Sequence, residues 1–133
     1  MRSALRAVVL LSLLLAVLGV ASCGSSEADG TVVKMPTERA VAGLDAGKYT
    51  VIDLRSPEAF RAGHVVGAVN IDASAPEFEQ RVRRLDETVE YLVYAVNEKQ
   101  SGPAADQMVR LGLERVVDAG GFGTLAIAGA EIE

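Results

Sequence analysis

Few side chains in this sequence can do covalent chemistry. Cys23 is the only cysteine and His64 the only histidine. A metal centre built on one histidine would have to be completed by carboxylates alone, so no metal and no cofactor are expected. A serine nucleophile needs a base. Ser101 has no second histidine to activate it, and His64 belongs to a different loop. The plainer role for Ser101 is a helix N-cap ahead of Gly102-Pro103. Asp53 and Arg55 have the look of an acid–cation pair at a site, but at a strand end such pairs more often tie backbone and loops together. Arg55 with Glu58 is a plausible local pair. Arg81, Arg83 and Arg84 would offer cations to an acidic partner or lipid headgroups. Val82 interrupts them and Asp86, Glu87 and Glu90 follow, which reads as a solvated helix face. Gly120-Gly121 fits a tight strand-to-helix turn, with phosphate binding as the weaker alternative.

The single thiol is placed for acylation. Arg2 and Arg6 precede an apolar run from Ala7 to Val20, followed by small Ala21 and Ser22. That order of positive, apolar and small residues is a secretory signal, and the run is short for the roughly 20 residues a spanning helix needs. Val20-Ala21-Ser22-Cys23 resembles the lipobox of bacterial lipoproteins. The resemblance implies cleavage before Cys23 and lipid on its sulfur, a stable anchor because each buried methylene contributes about 0.8 kcal/mol. An ordinary signal cut after Gly19-Val20-Ala21 is the alternative. Residues 1–22 are thus expected to be a lipoprotein signal and 23–30 a flexible polar linker. Residues 31–133 would be one folded domain, held on the extracytoplasmic face of a bacterial membrane. The 133-residue chain carries a formal charge of −5, and the signal removes arginines but no acids. An acidic body argues against nucleic acid as a partner.

The elements that must position any site alternate along the domain. Thr31–Met35 reads as a strand, and a helix opens at Pro36-Thr37 and stops at Gly47. Tyr49–Leu54 is a nearly continuous apolar run, hence a strand buried on both faces. Ser56-Pro57 caps a short helix to Arg61. A strand follows around Ala68–Ile71. Ser74-Ala75-Pro76-Glu77 has capping-box spacing and predicts a helix to about Leu85. Glu90–Ala95 is a second buried strand. A helix from Ser101 to about Leu111 presents Ala104, Ala105, Met108 and Leu111 on one side, with Met108 read as core. Glu114–Asp118 is a strand and Phe122–Ala128 a last helix. Alternation of this kind predicts an α/β fold with a mainly parallel central sheet between two helical layers. The chemistry of such sheets sits beyond the carboxyl ends of the strands, which directs attention to the loop after Ala95.

Here the residues match a known pattern. Asp53-Leu54-Arg55-Ser56-Pro57-Glu58-Ala59-Phe60, then Gly63-His64-Val65-Val66-Gly67-Ala68-Val69-Asn70-Ile71, resemble the first half of a rhodanese domain. Leu92-Val93-Tyr94 resembles the strand that leads to its active site, and Val116-Val117-Asp118-Ala119-Gly120-Gly121-Phe122 its closing segment. The resemblance implies a rhodanese-like three-layer fold, with Asp53, Arg55, Glu58, His64, Gly120 and Gly121 as structural motif residues. It also implies a cysteine directly after the strand, opening a loop whose backbone N–H groups stabilise a thiolate and then a persulfide.

The matching stretch is Ala95-Val96-Asn97-Glu98-Lys99-Gln100. Alanine stands at the cysteine position and cannot carry sulfur. Glu98 stands where a glycine is usual; it brings a negative charge to an anion cradle and is disfavoured at positive φ. Gln100 replaces a usual arginine, leaving Lys99 as the loop's cation. Leu125 takes the place of a usual tryptophan, at a cost in packing and not in chemistry. The expected function is an inactive, membrane-anchored binding or scaffolding module. Its lipid contact would run through Cys23, and Asn97, Glu98, Lys99, Gln100 and Ser101 would form a candidate loop for a protein partner in the cell envelope. The alternative is altered chemistry, namely sulfur relay with a thiol borrowed in trans, or anion sensing.

Overall fold

The structure, a computed structural model, describes residues 30–133. The expected signal, Cys23 and all of the linker but Gly30 lie outside the described residues. Ten elements follow in order: β1 (Thr31–Lys34), α1 (Thr37–Asp45), β2 (Thr50–Asp53), α2 (Pro57–Ala62), β3 (Val69–Asn70), α3 (Phe78–Val82), β4 (Glu90–Ala95), α4 (Glu98–Arg110), β5 (Arg115–Gly121) and α5 (Phe122–Ile127). The five strands form one all-parallel sheet in the order β1-β5-β4-β2-β3. Helices cover both faces, as the alternation predicts.

Why the apolar runs do not alternate is visible in the two cores. Successive residues of a strand point to opposite faces, and both faces are buried. Ile52, Tyr91, Val93 and Val116 pack with Phe78 and Val82 of α3 and Ala104, Ala105 and Met108 of α4. Val51, Leu92, Tyr94 and Val117 pack with Ala40 and Val41 of α1 and Leu125 of α5. Met108 and Leu125 are fully buried. Met108 is therefore core, and Leu125 fills its site with packing alone.

Three local expectations need correction. Ser74 does not cap α3. Its amide and hydroxyl both bond the Asp72 carboxylate, at 2.8 and 2.7 Å, an Asx-type turn that removes it from helix initiation, so α3 starts at Phe78. Ser101 does not cap α4. The helix begins at Glu98, Ser101 is fully buried, and its hydroxyl faces the Glu98 carbonyl at 3.5 Å. Arg55 does not pair with Glu58. Glu58 reaches Arg61 at 3.1 Å on the exposed face of α2, while Arg55 turns inward to Asp53. Ser56 does cap α2, accepting from the Ala59 amide at 3.3 Å, with Pro57 at the first turn. Arg81, Arg83 and Arg84 are exposed, and Arg83 approaches Glu79 at 3.9 Å.

Candidate functional site

The carboxyl ends of β2 and β4, the start of α4 and the β3–α3 connection enclose a cavity of about 500 Å³. Leu54, Ala59, Ala73, Ala95, Pro103 and Ala104 give it an apolar floor, and Ser56, Asp72, Ser74, Lys99, Gln100 and Gln107 bring polar groups to it. Ala95, the last residue of β4, is 2 % exposed. Its side chain is a single methyl group.

One wall is a buried polar knot. Asp53 is fully buried and ends β2. Its Oδ1 accepts from the Arg55 amide at 2.8 Å and from Arg55 Nε at 3.0 Å. Its Oδ2 accepts from an Arg55 guanidinium nitrogen at 2.6 Å and from the Tyr94 hydroxyl at 2.7 Å. The same guanidinium nitrogen donates to the Gly63 carbonyl at 2.7 Å, and the group lies over the Phe122 ring at 3.8 Å. The Tyr94 oxygen in turn accepts the Val65 amide at 3.1 Å. Asn70 Nδ2 donates to the carbonyls of Asp53 and Arg55 at 3.1 and 2.8 Å. Burial pulls the Arg55 pKa down, but the bond and charge of Asp53 outweigh it and raise the value overall. Burial pushes the Tyr94 hydroxyl well above the ordinary tyrosine range, and Asp53 adds to that direction. Asp53 and Gly63 take up Arg55 Nε and one guanidinium nitrogen, while the other guanidinium nitrogen makes no hydrogen bond within the fold, and Arg55 lines the cavity.

Sequence reasoning placed Asp53 and Arg55 here and missed Tyr94. The signal was available in the register. Asn70, Asp53 and Tyr94 are partners across β3, β2 and β4, so three polar residues at or next to the ends of these strands form one row.

The opposite wall is the loop and first turn of α4. Val96 is 57 % exposed, and Asn97, Glu98, Lys99 and Gln100 are exposed. Asn97 occupies the N-cap position with an extended backbone and makes no side-chain cap bond. Its carbonyl accepts from the Gln100 and Ser101 amides at 3.1 Å each, and the amides before them are those a helix leaves open. Among the described residues none but glycine has positive φ. Glu98 therefore sits in ordinary helical backbone, and the expected strain there is not found. Its charge is also displaced from the cavity. The Glu98 side chain lies against Gly120, where an added Cβ would meet Glu98 Cγ at 3.1 Å. It lines a second hollow with Val96, Asn97, Lys99, Gly121, Gly123 and Thr124. Lys99 and Gln100 line the first.

Gly120 and Gly121 make room for this arrangement. Gly120 has φ +78°, its amide bonds Asp118 Oδ1 at 3.0 Å, and a Cβ on Gly121 would stand 3.0 Å from the Val96 carbonyl oxygen. The expected turn is not a separate element: the pair closes β5, with Gly121 beside Ala95, and α5 starts directly at Phe122. His64 packs against α2 and, through Nε2, lies 3.5 Å from the Glu133 carboxylate. It stacks on Phe60 with ring centroids 3.7 Å apart, and its Nδ1 lies 3.0 Å from the Phe60 carbonyl. Among the described residues no group of three His, Cys, Asp or Glu side chains is placed to hold a metal, and no helix is long and apolar enough to cross a membrane.

Comparison with known proteins agrees with this geometry. The rhodanese-like domain family matches residues 37–123. Among solved structures, a rhodanese-related protein of Thermoplasma volcanium is 24 % identical with a TM-score of 0.66, over 76 % of this chain and 97 % of that one. A rhodanese from E. coli, solved with anions, is 27 % identical with a TM-score of 0.54, over 64 % of this chain and 96 % of that one. The rhodanese-like domain of an Anabaena protein, solved by solution NMR, is 20 % identical with a TM-score of 0.66, over 79 % and 78 %. Among curated proteins nothing matches the chain.

Proposed function

The chain belongs to the rhodanese-like domain family, and from that premise we propose that it is a catalytically inactive, lipid-anchored member that works as a binding or scaffolding module. One observation carries the reading. The end of β4, where sulfur transfer would need a thiolate, holds the buried methyl group of Ala95. The remaining cysteine, Cys23, is far upstream, and as a lipid thioether its sulfur would be closed to exchange. What survives is a shaped cavity with an apolar floor and an exposed, adaptable rim, a combination suited to recognition. The anchor rests on the order of basic, apolar and small residues before Cys23 and on the polar linker behind it.

The test is direct. The purified domain starting after Cys23 is expected to show no thiosulfate:cyanide sulfurtransfer and no sulfane adduct by mass spectrometry, while Ala95→Cys is expected to acquire the adduct. Turnover in a chain carrying Cys23→Ser would overturn the inactive reading.

A second reading, reversible anion sensing, gains support from one finding. Lys99 lines the cavity as well as the neighbouring hollow, and Glu98 lines only the latter. Thiosulfate or sulfate titration followed by amide shifts at Val96–Gln100 separates the two. A saturable shift favours sensing, and none at millimolar anion removes it.

A further inference from the structure

Taking the inactive binding reading as premise, we propose that the cavity beyond β4 takes a small carboxylic acid with a compact apolar body, its carboxylate held by the free Arg55 nitrogen and by Lys99. The starting point is the one donor that the polar knot leaves over. Arg55 Nε and Nη2 are spent on Asp53 and the Gly63 carbonyl, and Nη1 has no partner in the fold. The Arg55 side chain is 7 % exposed, yet among the described residues no fully buried side-chain nitrogen or oxygen lacks a partner. Nη1 is therefore not sealed in the core. It has an opening, and the cavity that Arg55 lines is that opening.

The donor is held in place before any ligand arrives. Asp53 grips one edge of the guanidinium through Nε and Nη2, and the Phe122 ring lies against its plane at 3.8 Å. A group fixed on two sides gives up little further freedom on binding. A buried donor calls for an acceptor, and a charged acceptor makes the stronger bond. Lys99 lines the same cavity. It adds the net positive charge that Arg55, neutralised by Asp53, does not supply. Asp72, the acidic lining residue, is engaged through Oδ1 by the Ser74 amide and hydroxyl.

The floor sets the rest of the ligand. Leu54, Ala73, Ala95 and Ala104 line it with aliphatic carbon. Ala95 matters most among them. A thiolate at that place would meet an anionic ligand with like charge, whereas the methyl group meets it with apolar surface. An inorganic anion such as sulfate would satisfy the donors and leave the floor facing water. A branched aliphatic acid satisfies the same donors and covers the floor as well. The cavity, about 500 Å³, has the size of a small-molecule site.

The test is a titration of the full chain, purified as the cell processes it, with 3-methylbutanoate, followed by NMR at the Ala95 and Lys99 amides and the Arg55 side-chain nitrogens. Saturable shifts at all three, with one dissociation constant, are expected. Acetate lacks the apolar body and 3-methylbutanamide lacks the charge; each, like sulfate, is expected to bind at least severalfold more weakly. Lys99→Ala should weaken 3-methylbutanoate severalfold, and so should Ala73→Leu, which fills the floor from its half-buried edge. Arg55→Lys keeps a cation beside Asp53 but has no second terminal nitrogen, and it should abolish saturation. If that variant does not fold, the Arg55 nitrogen shifts of the parent chain decide the point. Acetate or sulfate binding as tightly as 3-methylbutanoate would overturn the apolar body, and Arg55 nitrogens that do not respond would overturn the anchor. No response to any of the four probes would overturn the site outright while leaving the inactive reading in place. A sulfane adduct formed by the same sample with thiosulfate would instead overturn the reading on which the proposal rests.

Discussion

Two walls of one cavity are built on opposite principles. The wall at the end of β2 is a set of hydrogen bonds among Asp53, Arg55, Tyr94, Asn70 and the backbone of Gly63 and Val65, with Asp53 and Tyr94 fully buried. The wall at the start of α4 is Val96, Lys99 and Gln100, exposed, with Asn97 and Glu98 beside it facing a second hollow and an uncapped helix start. A charge buried in the first wall is tolerable only while every partner stays in place. A residue on the second can change at small cost, because water solvates whatever replaces it. Stability is thus carried by one side of the hollow, and the recognition proposed for the loop would use the other. This is how exposed Glu98 and Gln100 can differ from the residues the family resemblance implies while the fold is kept.

The strongest way to break that comparison is Asp53→Ala. It would leave the Arg55 guanidinium buried without its counter-charge and the Tyr94 hydroxyl without its acceptor. A loss of about 3–5 kcal/mol is expected, read as a lower urea midpoint. A change below about 1 kcal/mol would mean the knot is not the stable wall. Tyr94→Phe should cost less, about 1–3 kcal/mol, because it orphans the Val65 amide and removes one of the Asp53 donors while keeping the ring.

The same tyrosine gives the comparison a pH signature. Burial, with Asp53 behind it, raises the folded-state pKa of Tyr94. The folded chain therefore keeps this proton where the unfolded chain, with an ordinary value near about 10, gives it up. The unfolded state binds fewer protons in that window, so stability falls as pH rises. The contribution is full below about pH 10 and is lost as pH climbs through the raised folded value. Thermal midpoints taken from neutral to alkaline pH should show a downward slope, shallower in Tyr94→Phe. Tyr91, whose pKa burial also raises, keeps part of the slope in the variant.

What the sequence disclosed follows the same division. The strands, their burial on both faces and the parallel sheet were legible, because non-alternating runs such as Tyr49–Leu54 and Glu90–Ala95 have few other ways to be satisfied. Asp53 and Arg55 were recognisable as a tie, and Ser56-Pro57 as a helix start. The misses sit where short polar side chains had a nearer partner than sequence spacing suggests. Asp72 captured Ser74, and Asn97 rather than Ser101 came to the N-cap. Tyr94 looked like core because its hydroxyl finds Asp53 only once β2 and β4 are in register. The direction of Glu98 could not be read at all. It depends on the hollow left by Gly120 and Gly121, which are distant in sequence from the loop they accommodate.

The smallest stability effect is the sharpest for function. Glu98→Ala and Lys99→Ala alter exposed side chains on the first turn of α4, and neither makes a hydrogen bond or ion pair that holds an element in place. Glu98 complements the positive end of the helix and Lys99 opposes it, so the two losses act in opposite directions. The double variant should stay within about 0.5 kcal/mol of the parent, yet it removes both charges from the loop. If that wall is the recognition surface, capture of a membrane or envelope protein by the anchored chain should drop with the urea midpoint unchanged. Unchanged capture would move the recognition surface off this loop. A large loss of stability would show that the loop is bonded into the fold as tightly as the knot, and the contrast between the walls would be gone.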